Sequence, residues 1–498
     1  MRRFLILTGV SSGAIALVLG TSVAYANVVL TQVSSDPYTN PTSYHATEVE
    51  PDTFASGSTL VSTFQAGRFE DGGASNIGWA TTSNSGASYA HGFLPGTTVF
   101  SSPAGPYDRD TDPSVAFDAK HHIWLINSLP LDVEPNGLIG VAVIVNRSRD
   151  GLTWSNPITV AAAATSQNFD KNWIACDNTR TSPHYGNCYV EWDDFAHLNQ
   201  LHMAVSSDGG QSWTQATIPP HSDVIGGQPL AQPNGDVIVP IDNAFETAIE
   251  SFVSTDGGLT YSGPFPIAQL ISHTEAGNLR SGPLPTAEVD GAGKVYVAWS
   301  DCRFISGCTA NDIVYSTSTD GMNWSVVKRV PIDSTSSGVD HFLPGLAVDH
   351  STSDGTTRLG LTYYFYPETS CTTATCQLDI GFIGSSDGGS TWTASTQLAG
   401  PSALNELPDT SQGFMVGDYI STSFVTSTSG DLALSTFAVG MAVPGKTCTL
   451  GDVTSCNEPM EAPASGLTAA SATIPAAAAP IRSTHSDHAP STIPLRQR

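Results

Sequence analysis

The chain has 498 residues with 46 acidic and 19 basic side chains, a formal net charge of −27, and only 13% of its residues are charged. The acidity thus reflects a shortage of Lys and Arg. This excludes binding to nucleic acid or anionic lipid through a basic surface, because neutralising phosphates requires clustered positive charge. The 46 Gly and 32 Pro predict many short elements joined by tight turns and argue against a long helical protein.

Residues 1–26 have the pattern of a secretory signal peptide. Arg2 and Arg3 precede an apolar stretch that ends near Leu19, and Ala24-Tyr25-Ala26 fits the small-x-small cleavage pattern. An N-terminal membrane anchor is the alternative, but the apolar run is short and is interrupted by Ser and Gly. No later segment is long and apolar enough to span a bilayer. We therefore expect a secreted, extracellular protein.

A short pattern built on Ser-x-Asp-Gly and ending in an aromatic residue recurs along the chain. Ser and Asp side chains bond to the backbone of a tight turn, and Gly supplies its positive φ angles, so each copy predicts a hairpin turn. In the first copy Ser85 takes the Asp position. The six copies are Ser83–Tyr89, Ser148–Trp154, Ser206–Trp213, Ser254–Tyr261, Ser318–Trp324 and Ser385–Trp392.

These turns have the sequence of Asp-boxes, and over residues 45–440 the chain resembles the sialidase-like (BNR-repeat) superfamily of β-propeller proteins. The resemblance implies an all-β fold of four-stranded blades arranged around an axis. It also implies that each box joins the third and fourth strands of a blade, on the face opposite the ligand pocket. The boxes are structural markers, so they indicate the fold and leave the chemistry open.

A second repeat, the strand-start motif, precedes each predicted group of four strands. It is clearest in Asp112–Asp118. Seven such motifs against six boxes favour seven blades, with six as the alternative. The seventh unit has only two apolar strands, and the strand-like segment 28–33 could return to complete it, as propellers do when they close their ring. The other motifs begin at Glu50, Asp170, Gln228, Arg280, Asp340 and Gly417.

The eight cysteines form four close pairs, for which we predict disulfides in an oxidising compartment. Zinc is the alternative, but no pair has the two-residue spacing of zinc ligands. Residues 457–498 are rich in Ala, Pro, Ser and Thr, which predicts a disordered tail and leaves 27–456 as the propeller domain. The predicted pairs are Cys176/Cys188, Cys302/Cys308, Cys371/Cys376 and Cys448/Cys456.

If the boxes mark one face, the starts of the first strands and the loops after the second strands converge on the other face. Arg68, Arg280 and Arg303 are the arginines placed there. The resemblance implies that three arginines clamp a substrate carboxylate, a task suited to the planar guanidinium. An ion pair with Asp301 that braces a loop is the alternative for Arg303. The further side chains predicted to bind substrate are Asp170, Asp340 and Asp418.

The resemblance also implies an Asp general acid and a Tyr nucleophile activated by a neighbouring Glu, an exception to the two-carboxylate scheme of glycosidases. By position, Asp71 or Asp112 would be the acid, Tyr419 the nucleophile and Glu50 its partner. Tyr419 could instead be a packed core residue. The chain has Ala66-Gly67-Arg68-Phe69 where sialidases carry Phe/Tyr-Arg-Ile-Pro, so these assignments rest on position alone.

Two functions remain open at this point. The first, towards which we lean, is a secreted glycoside hydrolase acting on an acidic glycan terminus in an exo-sialidase-type reaction. The second is a non-catalytic propeller that binds glycan or protein at the cell surface or matrix. We expect a monomer with a glycan or glycoconjugate partner and no cofactor or catalytic metal. Glu191, Asp193 and Asp194 could hold a structural calcium ion, although no full oxygen-ligand loop is present.

Overall fold

The computed structural model describes residues 28–44, 46–428, 430–449, 454–469, 474–475 and 477–478. The predicted signal peptide and much of the predicted tail lie outside these residues. The described chain is all-β, as predicted, with 37 strands and four short 3-10 turns but no α-helix. Within the same residues, no helix is long and apolar enough to cross a membrane.

Most strands pair as antiparallel hairpins with a strand that is close in the chain. The first strand, β1 (Leu30–Gln32), instead pairs with a strand near the C-terminus. A single pairing between Ala74 and Asp110 links the first two sheets. The first sheet contains β2 (Glu48–Ser56), β3 (Thr59–Arg68), β4 (Ala74–Thr82) and β5 (Ala90–Phe93). The second contains β6 (Arg109–Asp118), β7 (Ile123–Glu134), β8 (Gly137–Gly140), β9 (Ala142–Ser148) and β10 (Ile158–Ala162).

The next four sheets repeat this arrangement. The third sheet contains β11 (Phe169–Cys176), β12 (Cys188–Asp194), β13 (Gln200–Ser206) and β14 (Thr214–Gln215). The fourth contains β15 (Val224–Ile225), β16 (Leu230–Ala231), β17 (Val237–Asn243), β18 (Ala248–Ser254) and β19 (Ser262–Gln269). The fifth contains β20 (Thr286–Val289), β21 (Val295–Asp301), β22 (Asp312–Ser318) and β23 (Lys328–Arg329). The sixth contains β24 (Asp340–Val348), β25 (Leu359–Tyr366), β26 (Gln377–Ser385) and, after the short β27 (Thr391–Trp392), β28 (Thr396–Ala403).

The seventh sheet combines both ends of the described chain. A small hairpin of β29 (Asp409–Thr410) and β30 (Gly413–Phe414) precedes β31 (Ser421–Ser427) and β32 (Gly430–Ala438). After the paired β33 (Met441–Ala442) and β34 (Cys456–Asn457) comes β35 (Met460–Pro463), and the strand order in the sheet is β31-β32-β35-β1. The N-terminal segment therefore joins the seventh sheet, as predicted, but it pairs with β35, a strand that the sequence analysis did not predict. The last two strands, β36 (Ile474–Pro475) and β37 (Ala477–Ala478), pair with β27 and β23.

Strand β35 lies beyond position 456, where the sequence predicted that the propeller domain ends and a disordered tail begins. β35 pairs with β32 on one side and with β1 on the other, and Met460 and Ala462 are fully buried. The prediction averaged the composition of the whole segment 457–498. A four-residue strand inside a sheet needs only two apolar side chains facing the core, and such a short signal disappears in the average.

The first strands of four sheets share a β-bulge near their start. The register of β2 against β3 shifts between Val49 and Asp52, and β6, β11 and β24 show the same irregularity against their partners. Each bulge contains a residue with positive φ, which is uncommon outside glycine. Bulges change the direction of side chains, so the strand-start motif sets where its charged residues lie. The four positive-φ residues are Glu50 (56°), Asp112 (48°), Lys171 (51°) and Leu343 (49°).

The first strands also connect neighbouring sheets. β2 contacts β6, β6 contacts β11, and the series continues through β16, β20, β24 and β31, which in turn contacts β2. Side chains of one first strand accept bonds from the backbone of the next. The Val115 N–H donates to Asp52 Oδ2 at 2.8 Å and the Ile174 N–H to Ser114 Oγ at 3.1 Å. These bonds fix the distance between sheets that share no hairpin.

Most sheets are buried on both faces because each has a neighbour on either side. Val190 and Trp192 of β12 pack against the second sheet, whereas Tyr189 packs against the fourth. Side chains alternate between the two faces of a strand, so all seven residues of β12 are buried. The same kind of apolar contact joins the first and seventh sheets, where Leu60 packs with Val425 and Leu434.

Each of the six predicted turns connects the last two strands of one of the first six sheets, and the short β27 lies within the sixth turn. In the third sheet, Asp208 Oδ1 accepts from the N–H groups of Gln211 (2.9 Å) and Ser212 (3.0 Å), and Asp150, Asp256, Asp320 and Asp387 do the same. In the first copy the residue in this role is Asn84, which accepts from the Ser88 N–H at 3.0 Å. The assignment of Ser85 to the Asp position was thus one residue off, because Thr82 starts that turn.

All four predicted disulfides are present, and the described residues contain no free cysteine. Two of them, Cys302–Cys308 and Cys371–Cys376, lie in the loops that follow the second strands of the fifth and sixth sheets. These loops belong to the end of the molecule where the strand-start motifs lie.

Candidate functional site

A small cleft lies among the starts of the first strands. Its walls combine an acid, a lysine and two amides with aromatic and aliphatic side chains, a mixture typical of small-molecule sites. The lining residues are Asp112, Lys171, Asn172, Trp173, Gly226, Gly227, Gln228, Leu284, Pro285 and Tyr419.

Asp418 holds two cations together behind this cleft. Its Oδ1 accepts from Arg280 Nε at 2.7 Å, and its Oδ2 is bound by Arg280 Nη2 and Lys171 Nζ. The side chains of Lys171 and Asp418 are only 5% and 7% exposed. Burial alone would raise the pKa of Asp418, but Arg280 and Lys171 outweigh it and hold that pKa well below its ordinary value. Asp418 is therefore ionised at neutral pH.

Glu50 lies next to Asp418, but unlike Asp418 it is protonated at neutral pH. Its Oε1 accepts from the Asp418 N–H at 3.4 Å, and its Oε2 is bound by the Gln65 amide. Burial, followed by the carboxylate of Asp112, raises the pKa of Glu50 to about 8 against the effect of Lys171. At pH 7 Glu50 therefore holds a proton. Two neighbouring carboxyl groups with pKa values pushed apart are an arrangement found in acid–base sites.

Tyr419 faces the cleft beside these groups. Its hydroxyl donates to the Pro113 carbonyl at 3.1 Å, and its ring packs edge-on against Trp173 with 5.1 Å between centroids. Burial, followed by the charges of Glu50 and Asp112, raises the pKa of Tyr419 well above its ordinary value. The Tyr419 hydroxyl is therefore protonated at neutral pH, and it donates its proton in a hydrogen bond to the protein backbone.

Asp112 is the carboxylate that lines the cleft. Its Oδ1 accepts from the Thr111 hydroxyl at 2.9 Å and its Oδ2 from the Lys171 N–H at 3.1 Å. Asp170 lies close by, since its Oδ1 also accepts from the Lys171 N–H, at 3.0 Å. Glu50, Arg68, Asp112, Lys171, Arg280 and Asp418 affect one another's pKa values, and we call them the central cluster.

Arg68 belongs to the central cluster but is fully buried. Its Nη1 donates to the carbonyls of Phe69 (2.8 Å) and Gly73 (2.9 Å). Burial, followed by repulsion from Arg280, lowers the pKa of Arg68 to about 10. Arg280, with 19% of its side chain exposed, is the more accessible of these two guanidinium groups.

Arg303 has different partners. Its Nε and Nη2 bind the two oxygens of Asp301 at 2.8 and 2.6 Å, and Nη2 also binds the Gln269 carbonyl. This is the loop-bracing ion pair considered as the alternative. The three arginines predicted to clamp one carboxylate therefore have three separate sets of partners: Asp418 for Arg280, backbone carbonyls for Arg68 and Asp301 for Arg303.

Two other predicted acids lie outside the lining of the cleft. Asp71 is 55% exposed and pairs with Arg109 at 2.6 Å. Asp340 is buried, accepts from the Asn311 N–H at 2.7 Å and lies 3.8 Å from His273 Nε2. Burial raises the pKa of Asp340 to about 6.

Two of the three side chains considered for calcium, Asp193 and Asp194, have hydrogen-bond partners within the protein. Asp194 accepts from the Asn168 N–H at 3.1 Å and pairs with His197 at 2.7 Å. Asp193 accepts from the Asn199 amide at 3.3 Å.

Sequence reasoning assigned no role to two members of this region. Lys171 follows directly from the strand-start motif, so its position could have been used, whereas Gln65 lies inside β3 and carries no local signal. Both contact carboxylates of the central cluster, since Lys171 binds Asp418 and Gln65 binds Glu50.

No protein-family model and no curated protein matches this chain. Among solved structures, it is similar to a protein of unknown function from Dyadobacter fermentans, with 15% identity, a TM-score of 0.45 and coverage of 71% of this chain and 98% of that one. The leech intramolecular trans-sialidase matches with 12% identity, a TM-score of 0.44 and 67% coverage of each chain. The intramolecular trans-sialidase from Ruminococcus gnavus matches with 11% identity, a TM-score of 0.43 and coverage of 66% of this chain and 92% of that one.

Proposed function

We propose that the protein is a secreted, seven-bladed Asp-box β-propeller and a glycoside hydrolase that acts on the terminal unit of an acidic glycan. The blade count is supported by the seven first strands that contact one another in order and by the contact of β31 with β2. The apolar contact of Leu60 with Val425 and Leu434 supports a closed ring. Four disulfides favour an oxidising compartment outside the cell.

The observation that carries the proposed activity is the meeting of Asp112, Lys171 and Tyr419 at one cleft, with Glu50 and Asp418 directly behind. In this proposal Asp112 is the general acid that protonates the glycosidic oxygen, and Tyr419 is the nucleophile that bonds to the sugar. Glu50 accepts the phenol proton of Tyr419 in the fraction of molecules in which Glu50 is ionised, since its pKa is about 8. Water then displaces Tyr419 from the sugar, and Glu50 returns the proton to the phenol. This is the exo-sialidase type of reaction, which uses a tyrosine in place of a second carboxylate.

The acidic substrate class is supported by the cations of the central cluster. Arg280 is partly exposed and Lys171 lines the cleft, so these two positive groups, with Arg68 behind them, are the candidates to attract a sugar carboxylate. A carboxylate held near a guanidinium gains a charge-assisted hydrogen bond. Arg303, bound to Asp301, would brace a loop in this arrangement.

Activity is tested with purified protein and a panel of fluorogenic glycosides that includes sialyl, uronyl and neutral sugars. We expect turnover of an acidic member, and a loss of at least about 100-fold in kcat for Asp112→Asn, since general acid catalysis contributes roughly that much or more. Arg280→Ala should raise KM for acidic substrates. Asp354→Asn is the matched control: Asp354 is exposed and, like Asp112, has a positive φ. No turnover of any glycoside would contradict the proposal.

The second candidate is a non-catalytic propeller that binds a glycan or a protein. It is favoured by the Tyr419 hydroxyl, which donates to a backbone carbonyl, and by Asp418, which is held by two cations. This alternative predicts saturable binding on a glycan array without product release, and the binding should survive Asp112→Asn and Asp340→Asn. Loss of binding in both variants would argue against it.

A further inference from the structure

A group of potential metal ligands lies between the fifth and sixth sheets, and none of its members lines the cleft. Asp312 begins β22, Asp333 follows β23, and His341 is the second residue of β24. One carboxylate oxygen from each Asp and one ring nitrogen of His341 lie within 4.8 Å of one another. Asp312 and His341 are 1% and 2% exposed, whereas 23% of the Asp333 side chain is exposed.

The atoms of this group are too far apart to bond to one another. His341 Nδ1 lies 4.0 Å from Asp312 Oδ1, and Nε2 lies 3.7 Å from Asp333 Oδ2. His341 Nδ1 and Asp333 Oδ2 are both buried without a hydrogen-bond partner. Buried polar atoms are nearly always paired, and an ion is one of the partners that explain an exception. Only one nitrogen of His341 can bind a shared ion, and with that nitrogen the three ligand atoms lie within 4.8 Å of one another. Ligands that are each about 2.1 Å from a tetrahedral ion lie about 3.4 Å apart, so the side chains would close on the ion by about an ångström or less.

Arg329 lies against the other side of both carboxylates and forms an ion pair with each. Its Nε lies 2.6 Å from Asp312 Oδ2 and its Nη2 lies 2.8 Å from Asp333 Oδ1. The oxygens that face His341 are therefore not taken by this arginine. Ligating carboxylates commonly receive such outer bonds, which orient them towards the metal. Because one guanidinium balances only one of the two carboxylates, the group keeps a net negative charge that favours a cation.

We propose that Asp312, Asp333 and His341 bind one divalent transition-metal ion. One imidazole and two carboxylates form a donor set suited to zinc, and the exposed part of Asp333 leaves access for water as a fourth ligand. The ion connects β22 and the loop after β23 to the first strand of the sixth sheet. It therefore stabilises the contact between two sheets near the end of the molecule that carries the strand-start motifs.

The test is a calorimetric titration of Zn²⁺ into chelator-treated full-length protein, with Co²⁺ absorption as a report of ligand geometry. We expect one ion per chain and a higher Tm in the presence of metal. Asp333→Asn keeps the side-chain shape and its bond to Arg329, and it should weaken binding at least about tenfold. His350→Gln is the matched control, because His350 is half-exposed and pairs with Glu288; it should leave the affinity unchanged.

Two results would overturn the assignment. One is the absence of stoichiometric binding of Zn²⁺ and Co²⁺ by the folded protein. The other is an unchanged affinity in both Asp333→Asn and His341→Asn. Asp333→Asn alters a partly exposed side chain, so it remains informative even if His341→Asn, a change at a buried residue, prevents folding.

Discussion

Asp418 is the residue on which the charge balance of the central cluster depends. It binds Lys171 and Arg280, and its own side chain is almost fully buried. Removing one partner of a buried ion pair leaves an uncompensated charge and costs about 3–5 kcal/mol. We therefore predict that Asp418→Asn lowers the free energy of unfolding by about that amount, measured by urea denaturation at pH 7.

Asp431→Asn provides the comparison for this change. Asp431 also binds an arginine, Arg358, but the two side chains are 22% and 30% exposed. More exposed pairs contribute about 0–1 kcal/mol, so this variant should lose little stability. Equal losses in Asp418→Asn and Asp431→Asn would show that burial of the central cluster does not determine its energetics.

The sequence predicted much of this cluster, because a repeat places equivalent residues at equivalent positions. Glu50, Asp112 and Asp418 were all found through the strand-start motif. The partners of the arginines could not be predicted. Arg303 has an acid two residues away, at Asp301, whereas Arg280 reaches Asp418 across the fold, and such distant pairing leaves no local signal.

The Ser-x-Asp-Gly turns are the elements that hold one sheet against the preceding one. In the fourth sheet, Gly258 has a φ of +88°, and a Cβ placed on it would lie 2.6 Å from the ring of Tyr189 in the third sheet. Alanine at positive φ costs about 1–2 kcal/mol, and overpacking a core adds about 1–3 kcal/mol. We predict that Gly258→Ala lowers the free energy of unfolding by the sum of these two contributions. The loss is measured as a fall in Tm and in the urea midpoint.

Gly57→Ala separates the two contributions. Gly57 also has a positive φ, of +62°, but a Cβ there meets nothing within 4 Å. This variant should lose only the conformational part. If both variants lose the same stability, the second glycine of the turn is needed for its backbone angle and not for the contact between sheets.

At this scale the sequence predicted the turns better than the strands. Ser, Asp and Gly act within a few residues of one another, so their pattern is visible in the sequence. The bulge at Glu50 depends on how β2 pairs with β3, and β35 lies between β32 and β1, which are distant from it in the sequence or separated from it by other elements. The three ligands Asp312, Asp333 and His341 come from separate segments, and no spacing rule brings them together.

The shortage of Lys and Arg has a consequence for the whole molecule. With 19 basic and 46 acidic side chains, many buried carboxyl groups have no cation to pair with. Burial raises the pKa of Asp52 to about 7 and the pKa values of Asp110 and Glu275 to about 8, from ordinary values of 3.8 and 4.5. Each of these carboxyl groups stays protonated in the folded protein over a pH range in which the same group is ionised in the unfolded chain.

The folded protein therefore binds more protons than the unfolded chain between about pH 4 and pH 8, and the free energy of unfolding falls as pH rises through that range. Asp418 and turn residues such as Asp320 have lowered pKa values, so they make the free energy of unfolding rise with pH. Their effect is confined to the range below about pH 4. We predict that Tm is highest in mild acid and decreases towards pH 8, measured by scanning calorimetry at constant ionic strength. Asp110→Asn removes one titrating group and should flatten the decrease. A Tm that rises from pH 5 to pH 8 would mean that the buried acids ionise with little cost.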